Sequence, residues 1–167
     1  ELRLNARIAL HRNAPIYAAS EGGIMRQPVI VSGARTPVGR FGGSFKDVTA
    51  VDLGATAIKE ALIRAAVSPD LVEEVAVGNV LQLNHDSYTA RLAALQAGIP
   101  ETVPAFNVNR WCSSGLEAIN LAAQLIMTEE VDIAIGAGTE NMSQTPYLMP
   151  RQVRWDGLRM GDATLHD

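Results

Sequence analysis

Short apolar runs alternate with segments of helical periodicity along most of this chain, and that alternation constrains the fold more than any other feature. The runs cover residues 28–33, 75–80, 103–108 and 131–137. Each has the length of a strand and is bounded by turn formers or a change of pattern, as expected of buried strands. The 28–33 run reads as a first buried strand, and 131–137 is apolar enough to lie centrally in the sheet. Strands separated by helices return through crossovers rather than hairpins, giving a mostly parallel sheet covered on both faces. The expected fold class is therefore α/β, a mostly parallel sheet flanked by helices.

The intervening segments carry their own signals. Thr49 is placed to cap a helix with Asp52 in its first turn. Val51, Ala55, Ile58, Leu62 and Ala65 then share one face, while Asp52, Thr56, Lys59, Glu60 and Arg64 share the other. A helical turn is expected at Ser68-Pro69, and a second helix over 88–97, stopped by Gly98 and Pro100. The Gly- and Pro-rich stretch 36–44, with Arg35 and Arg40, lacks the spacing of a phosphate- or dinucleotide-binding loop. It reads as a structural loop whose arginines anchor it or a subunit contact. From about Gln144 the pattern dissolves among Pro146, Pro150, Gly157 and Gly161, an excursion of the kind that serves function or an interface.

The one cysteine among 167 residues, Cys112, falls where the third run should turn into a helix ending near Met127. Ser114 and Glu117 have capping-box spacing. Glu117, Asn120 and Gln124 form a narrow polar stripe on a helix otherwise made of Ala, Leu, Ile and Met, so burial on most of its circumference is expected. Unpaired N–H groups and the macrodipole at a helix start favour an anion, and a thiol there tends towards the thiolate. Read from these residues alone, Cys112 is either such a reactive thiol or an inert cysteine packed as a small hydrophobe.

Composition removes whole classes of function. A net charge of −4 without any dense Lys/Arg cluster argues against a nucleic-acid or anionic-membrane surface. No apolar run approaches the ~20 residues of a membrane-spanning helix. A lone cysteine rules out an internal disulfide and suits a reducing compartment; the expected location is cytoplasmic, or a mitochondrial or peroxisomal matrix if the source is eukaryotic, and not secreted. His11, His85 and His166 show no metal-ligand spacing with one another or with Cys112. Residues 1–24, with Arg3, Arg7 and Arg12 among apolar residues, read either as a leader upstream of Met25 or as a transit-like presequence, poorly ordered in both cases.

The stretch Asn109-Arg110-Trp111-Cys112-Ser113-Ser114-Gly115-Leu116 resembles the nucleophile motif of the thiolases, the acetyl-CoA acetyltransferases and 3-ketoacyl-CoA thiolases. Further blocks resemble the family in order and spacing: Gly33-Ala34-Arg35-Thr36-Pro37-Val38-Gly39-Arg40-Phe41-Gly42-Gly43, Gly78-Asn79-Val80-Leu81-Gln82, Gly138-Thr139-Glu140-Asn141-Met142-Ser143 and Arg159-Met160-Gly161-Asp162-Ala163. The resemblance runs from about Gln27 to the last residue and covers the N-terminal half of the family's layered fold.

That resemblance implies Cys112 as the nucleophile that carries the acyl group as a thioester, with its backbone N–H as an oxyanion donor. It implies acyl-CoA and CoA as substrates, no metal or redox cofactor, and a homo-oligomer, dimer or tetramer. It divides the chain into a leader over 1–24, an N-terminal domain core over 25–143 and the start of a loop domain over 144–167. The family's activating histidine, its Asn-Glu block and its second cysteine belong to a later half, so His85 is not recruited and the chain by itself is expected to be inactive. A β-ketoacyl synthase shares the fold and a cysteine at a helix start; use of free CoA rather than a carrier protein separates the two. A non-catalytic acyl-CoA-binding fragment would leave Cys112 unreactive towards acyl donors.

Overall fold

The structure is a computed structural model that describes residues 26–158 and 160–166, apart from the side chains of residues 84 and 85. The expected leader over 1–24 and the side chain of His85 lie outside what is described.

Three parallel strands form one sheet: β1, Glu74–Gly78; β2, Ala105–Val108; and β3, Ala134–Gly138, in the order β2-β1-β3. Val75 sits opposite Ala105 on one side and Ile135 on the other, and Gly78 opposite Val108 and Gly138. Because side chains alternate across a strand, β1 supplies two different surfaces. Val75 and Val77 enter a core with Val51, Ala55, Ile58 and Leu62 of helix α1 (Ala50–Ala65) and Ala90, Ala93 and Ala94 of helix α2 (Thr89–Gln96). Ala76, with Val108, packs the opposite way against Ala118 and Leu121 of helix α3 (Ser114–Met127). The expected α/β arrangement, a parallel sheet with helices on both faces, is what the chain adopts.

The helix signals explain α1 well. Thr49 Oγ1 accepts the Asp52 N–H at 3.0 Å, and the Asp52 carboxylate accepts from the Thr49 backbone N–H in return, a complete capping box. Its apolar stripe faces the sheet, and each large aliphatic so buried contributes ~1.5–3 kcal/mol. Helix α2 lacks a cap of its own. Asn107, projecting from β2, accepts the Ala90 N–H at 2.8 Å and donates to Ser87 O at 3.1 Å, which ties the helix start to the strand.

Four expectations need correction. The 28–33 run is not a strand: it pairs with no strand among the described residues, and Ile30 is 86% exposed. An apolar run becomes a strand only where an edge pairs with it. Here the segment is tied instead by Arg26 to Asp132 and by Arg64, which donates to Gly33 O. The 131–137 run yields β3 at an edge of the sheet, not its centre; apolarity reports coverage of the faces, which α3 and the α1 side provide, not place in the order. Helix α3 is buried on one side only, with Leu116 64% and Ile119 43% exposed. The Ser114–Glu117 capping box does not form, because the helix begins at Ser114 itself and Ser113 takes the capping position without a side-chain bond. Beyond Gln144 the chain is irregular, as expected, with one bridge between Leu148 and His166 and the single-turn helix α4 (Val153–Asp156).

Candidate active site at the carboxyl ends of the strands

In open α/β sheets, ligands gather beyond the carboxyl ends of the strands. All three strands here point the same way, so those ends lie together and the segments following them meet. Asn79, directly after β1, is only 1% exposed. Its backbone N–H extends the ladder to Val108 O at 3.0 Å. Its side chain donates to Thr139 O at 3.1 Å and Glu140 Oε1 at 2.9 Å, and its Oδ1 accepts from the Thr89 hydroxyl at 3.2 Å.

Glu140 completes the tie in the other direction. Its carboxylate accepts the backbone N–H groups of Val80 at 2.8 Å and Leu81 at 3.1 Å, the turn that follows β1. Asn141 donates to Phe45 O and Val48 O, and Ser143 Oγ accepts the Gly42 N–H at 2.9 Å. The stretches around 42–48, 78–82 and 139–143 are thus one hydrogen-bonded floor, although up to about a hundred residues separate them in sequence.

The loop from β2 to α3 rises from that floor. Asn109 donates to Val80 O at 3.0 Å and its Oδ1 accepts the Trp111 N–H at 3.2 Å. Ser114 Oγ accepts the Arg110 N–H at 2.8 Å and donates to Trp111 O at 2.6 Å. Glu117, in place of closing a cap, pairs with Arg110 at 3.0 Å. Between these clamps Trp111 holds φ +54°, left-handed backbone that a bulky residue rarely adopts. Cys112 follows it, exposed, two residues before the first residue of α3.

Cys112 therefore stands at the helix start, as the sequence placed it, but on a loop beyond the strand and open to solvent, not packed as a small hydrophobe. Among the described residues, the two carboxyls with displaced titration lie elsewhere. Hydrogen bonds from Gln96 and Thr49 lower Asp52, and burial raises Glu74 at the far end of the sheet. Clefts of about 660 Å³ beside Gly33, Arg35 and Arg64 and about 530 Å³ beside Val51, Leu92 and Leu95 are not lined by Cys112 or its neighbours. Among the described residues no group of His, Cys, Asp and Glu is arranged to hold a metal. No described helix is long and apolar enough to cross a membrane.

Sequence reasoning singled out Cys112 and gave Ser114 only a helix-capping role, but assigned none to Asn79, Asn109 or Glu140. The available signal was the company they keep: Asn79 follows a strand-ending Gly78, Glu140 lies two residues after Gly138, and Asn109 and Ser114 bracket the cysteine.

Comparison with known proteins agrees with this geometry. The family described as thiolase, N-terminal domain, matches residues 28–167. The beta-ketothiolase BktB of Cupriavidus necator is 52% identical over 143 residues, which cover 85% of this chain and 36% of that protein. A probable acetyl-CoA acyltransferase of Staphylococcus aureus is 48% identical over 143 residues, 86% of this chain and 36% of the relative. The crystal structure of the Bacillus anthracis acetyl-CoA acetyltransferase superposes with a TM-score of 0.80 at 39% identity, over 86% of this chain and 36% of that one. The chain thus spans little more than a third of the length of the relatives it matches.

Proposed function

The chain belongs to the thiolase family, and from that premise we propose that the protein carrying it is an acyl-CoA acyltransferase with Cys112 as its nucleophile. In the degradative direction the Cys112 thiolate attacks the 3-keto carbon of a 3-ketoacyl-CoA, and negative charge develops on that oxygen beside the Cys112 N–H. The bond between the α and β carbons then breaks. Its electron pair leaves with the acetyl-CoA enolate, which takes up a proton, and the acyl group remains on Cys112 as a thioester. The thiol of a second CoA displaces Cys112 and carries the acyl group away, a ping-pong sequence. The reverse order of steps is the Claisen condensation. No metal or redox cofactor takes part.

One observation supports this reading most directly. The single cysteine is exposed on a backbone held from two sides, at the start of a helix and beyond the carboxyl ends of the sheet. Residues 25–143 serve in this reading as the core of the N-terminal domain, and 144–167 as the start of a loop domain. The acid–base groups that deprotonate Cys112 and the incoming CoA come from beyond this chain. The 167-residue chain alone accordingly has no useful turnover, since each positioned base or donor supplies about 10²–10⁴-fold. The protein works as a homo-oligomer, with subunit contacts through the strand before Cys112 and the segment after Gln144.

The test is cleavage of acetoacetyl-CoA in the presence of CoA by the full-length protein, by its Cys112→Ala variant and by the 167-residue chain. Replacing Cys112 lowers turnover by about 10⁴-fold or more, and the short chain shows none. Equal turnover with and without the Cys112 thiol contradicts the assignment, and robust turnover by the short chain contradicts the division of the catalytic groups.

A further inference from the structure

We infer that Asn109 is a positioning residue for the acyl-transfer step, acting through the backbone of Trp111 to fix how Cys112 is presented; this deepens the proposed function and rests on it. Three non-glycine residues among those described have positive φ: Ala66, Trp111 and Glu129. Ala66 caps the end of α1 and Glu129 follows the end of α3, places where a left-handed residue commonly ends a helix. Trp111 ends nothing. It lies between a strand and a helix, directly before Cys112, and it is a bulky side chain in a conformation that suits glycine.

Such a conformation persists only where its surroundings over-determine it. Two side chains do so here. Ser114 grips the carbonyl of Trp111 from the helix side, and Asn109 grips its N–H from the strand side, at 2.6 and 3.2 Å. Ser114 is buried and belongs to the helix start, so any change there disturbs α3. Asn109 is different. It is exposed, its Oδ1 bonds Trp111, and its Nδ2 donates to Val80 O at 3.0 Å. Val80 is itself held by the Glu140 carboxylate at 2.8 Å. Asn109 therefore ties the orientation of the Cys112 loop to the rigid floor beyond β1, without being part of the core.

A purely local stabiliser and a positioning residue differ in what their loss does. Exposed hydrogen bonds add little to global stability, whereas a displacement of about 1 Å at a reacting group can lower a rate by about 10²-fold. Two full-length variants, Asn109→Ala and Asn109→Ser, separate the cases. The serine retains a short hydroxyl able to accept the Trp111 N–H, in the manner of a serine turn. Three quantities are read: the single-turnover rate of Cys112 acylation from acetoacetyl-CoA, the alkylation rate of Cys112 with iodoacetamide, and the urea midpoint. The same readings on Trp111→Gly and on the Asn109→Ala/Trp111→Gly double variant show whether the effect passes through the Trp111 backbone.

The expected result is a drop in acylation of about 10- to 100-fold for Asn109→Ala, a changed alkylation rate at Cys112, a urea midpoint close to that of the unmodified protein, and recovery of most of the acylation rate in Asn109→Ser. In the Trp111→Gly background, where the left-handed backbone is free of strain, the same Asn109→Ala change alters the rate by no more than about twofold, the scatter of independent sites. Unchanged acylation in Asn109→Ala overturns the inference, and so does a loss that persists undiminished in the Trp111→Gly background or that tracks a falling urea midpoint. If the unmodified protein forms no acyl-Cys112, the acyltransferase reading falls instead, and the alkylation rates still decide the role of Asn109.

Discussion

Gly78, at the end of β1, lies so close to Ser114 that a Cβ on it would stand 2.3 Å from the Ser114 carbonyl carbon. Helix α3 therefore begins with its backbone against the sheet, with no side chain between. Gly136 and Gly138 on β3 repeat the arrangement: a Cβ on Gly136 would meet Ile119 Cα at 2.6 Å, and one on Gly138 would meet Gly115 Cα at 3.1 Å. Three strand glycines thus set the height of α3 above the sheet, and with it the height of the loop that presents Cys112.

Gly78→Ala must push the start of α3 outward, because the contact is backbone and cannot rotate away. Urea denaturation should show a loss of about 1–3 kcal/mol or more, together with a changed alkylation rate at Cys112. Gly33→Ala is the matched control, since a Cβ there meets nothing within 4 Å. Equal stability of the two variants contradicts the close approach.

Asp52 carries the pH dependence of α1. Its carboxyl is held below the ordinary value by the hydrogen bond from Gln96 first and those from Thr49 second. A carboxyl lowered by folding stabilises the fold above its unfolded pKa and ceases to do so as pH falls through the folded one. Asp52→Ala should therefore cost about 1 kcal/mol near pH 7, and the difference from the unmodified chain should close below the ordinary carboxyl value of 3.8. A difference that is constant with pH removes the carboxylate from the account.

Glu74 behaves in the opposite sense. Burial raises its carboxyl, and its Oε1 is enclosed without a hydrogen-bond partner among the described residues. A carboxyl raised by folding favours the native state in its protonated form, and that advantage is lost as pH rises through the folded pKa. Glu74→Gln should accordingly be more stable than the unmodified chain at pH 7 and equal to it at pH 3, by urea midpoints taken across that range. A Gln variant that is less stable at neutral pH contradicts the assignment.

The helices and the parallel sheet were legible because their signals are local: Thr49 and Asp52 at capping distance, an aliphatic stripe through Ile58 and Leu62, and Gly98 as a stop with φ +92°. What was not legible depends on partners far along the chain. Val29, Ile30 and Val31 have the composition of a strand, but pairing is decided by which edge is offered. Ser114 and Glu117 have the spacing of a cap, but Ser114 is used by Arg110 and Trp111, and Glu117 by Arg110. The apolar character of α3 read as full burial, while Leu116 and Ile119 remain exposed on this chain. Cys112 was found because it is the one cysteine; Asn109 was not, because its importance lies in two hydrogen bonds and the left-handed backbone of its neighbour.

The central claim is that Cys112 carries the acyl group, and the most direct measurement is to look for that group on it. Full-length protein is incubated with acetoacetyl-CoA without free CoA, quenched in acid, digested, and its peptides are weighed and sequenced by mass spectrometry. The account predicts an acetyl thioester on the peptide containing Cys112, released when CoA is added before the quench and absent from Cys112→Ala. An acyl group found on another residue, or none on Cys112 in protein that turns over, contradicts it.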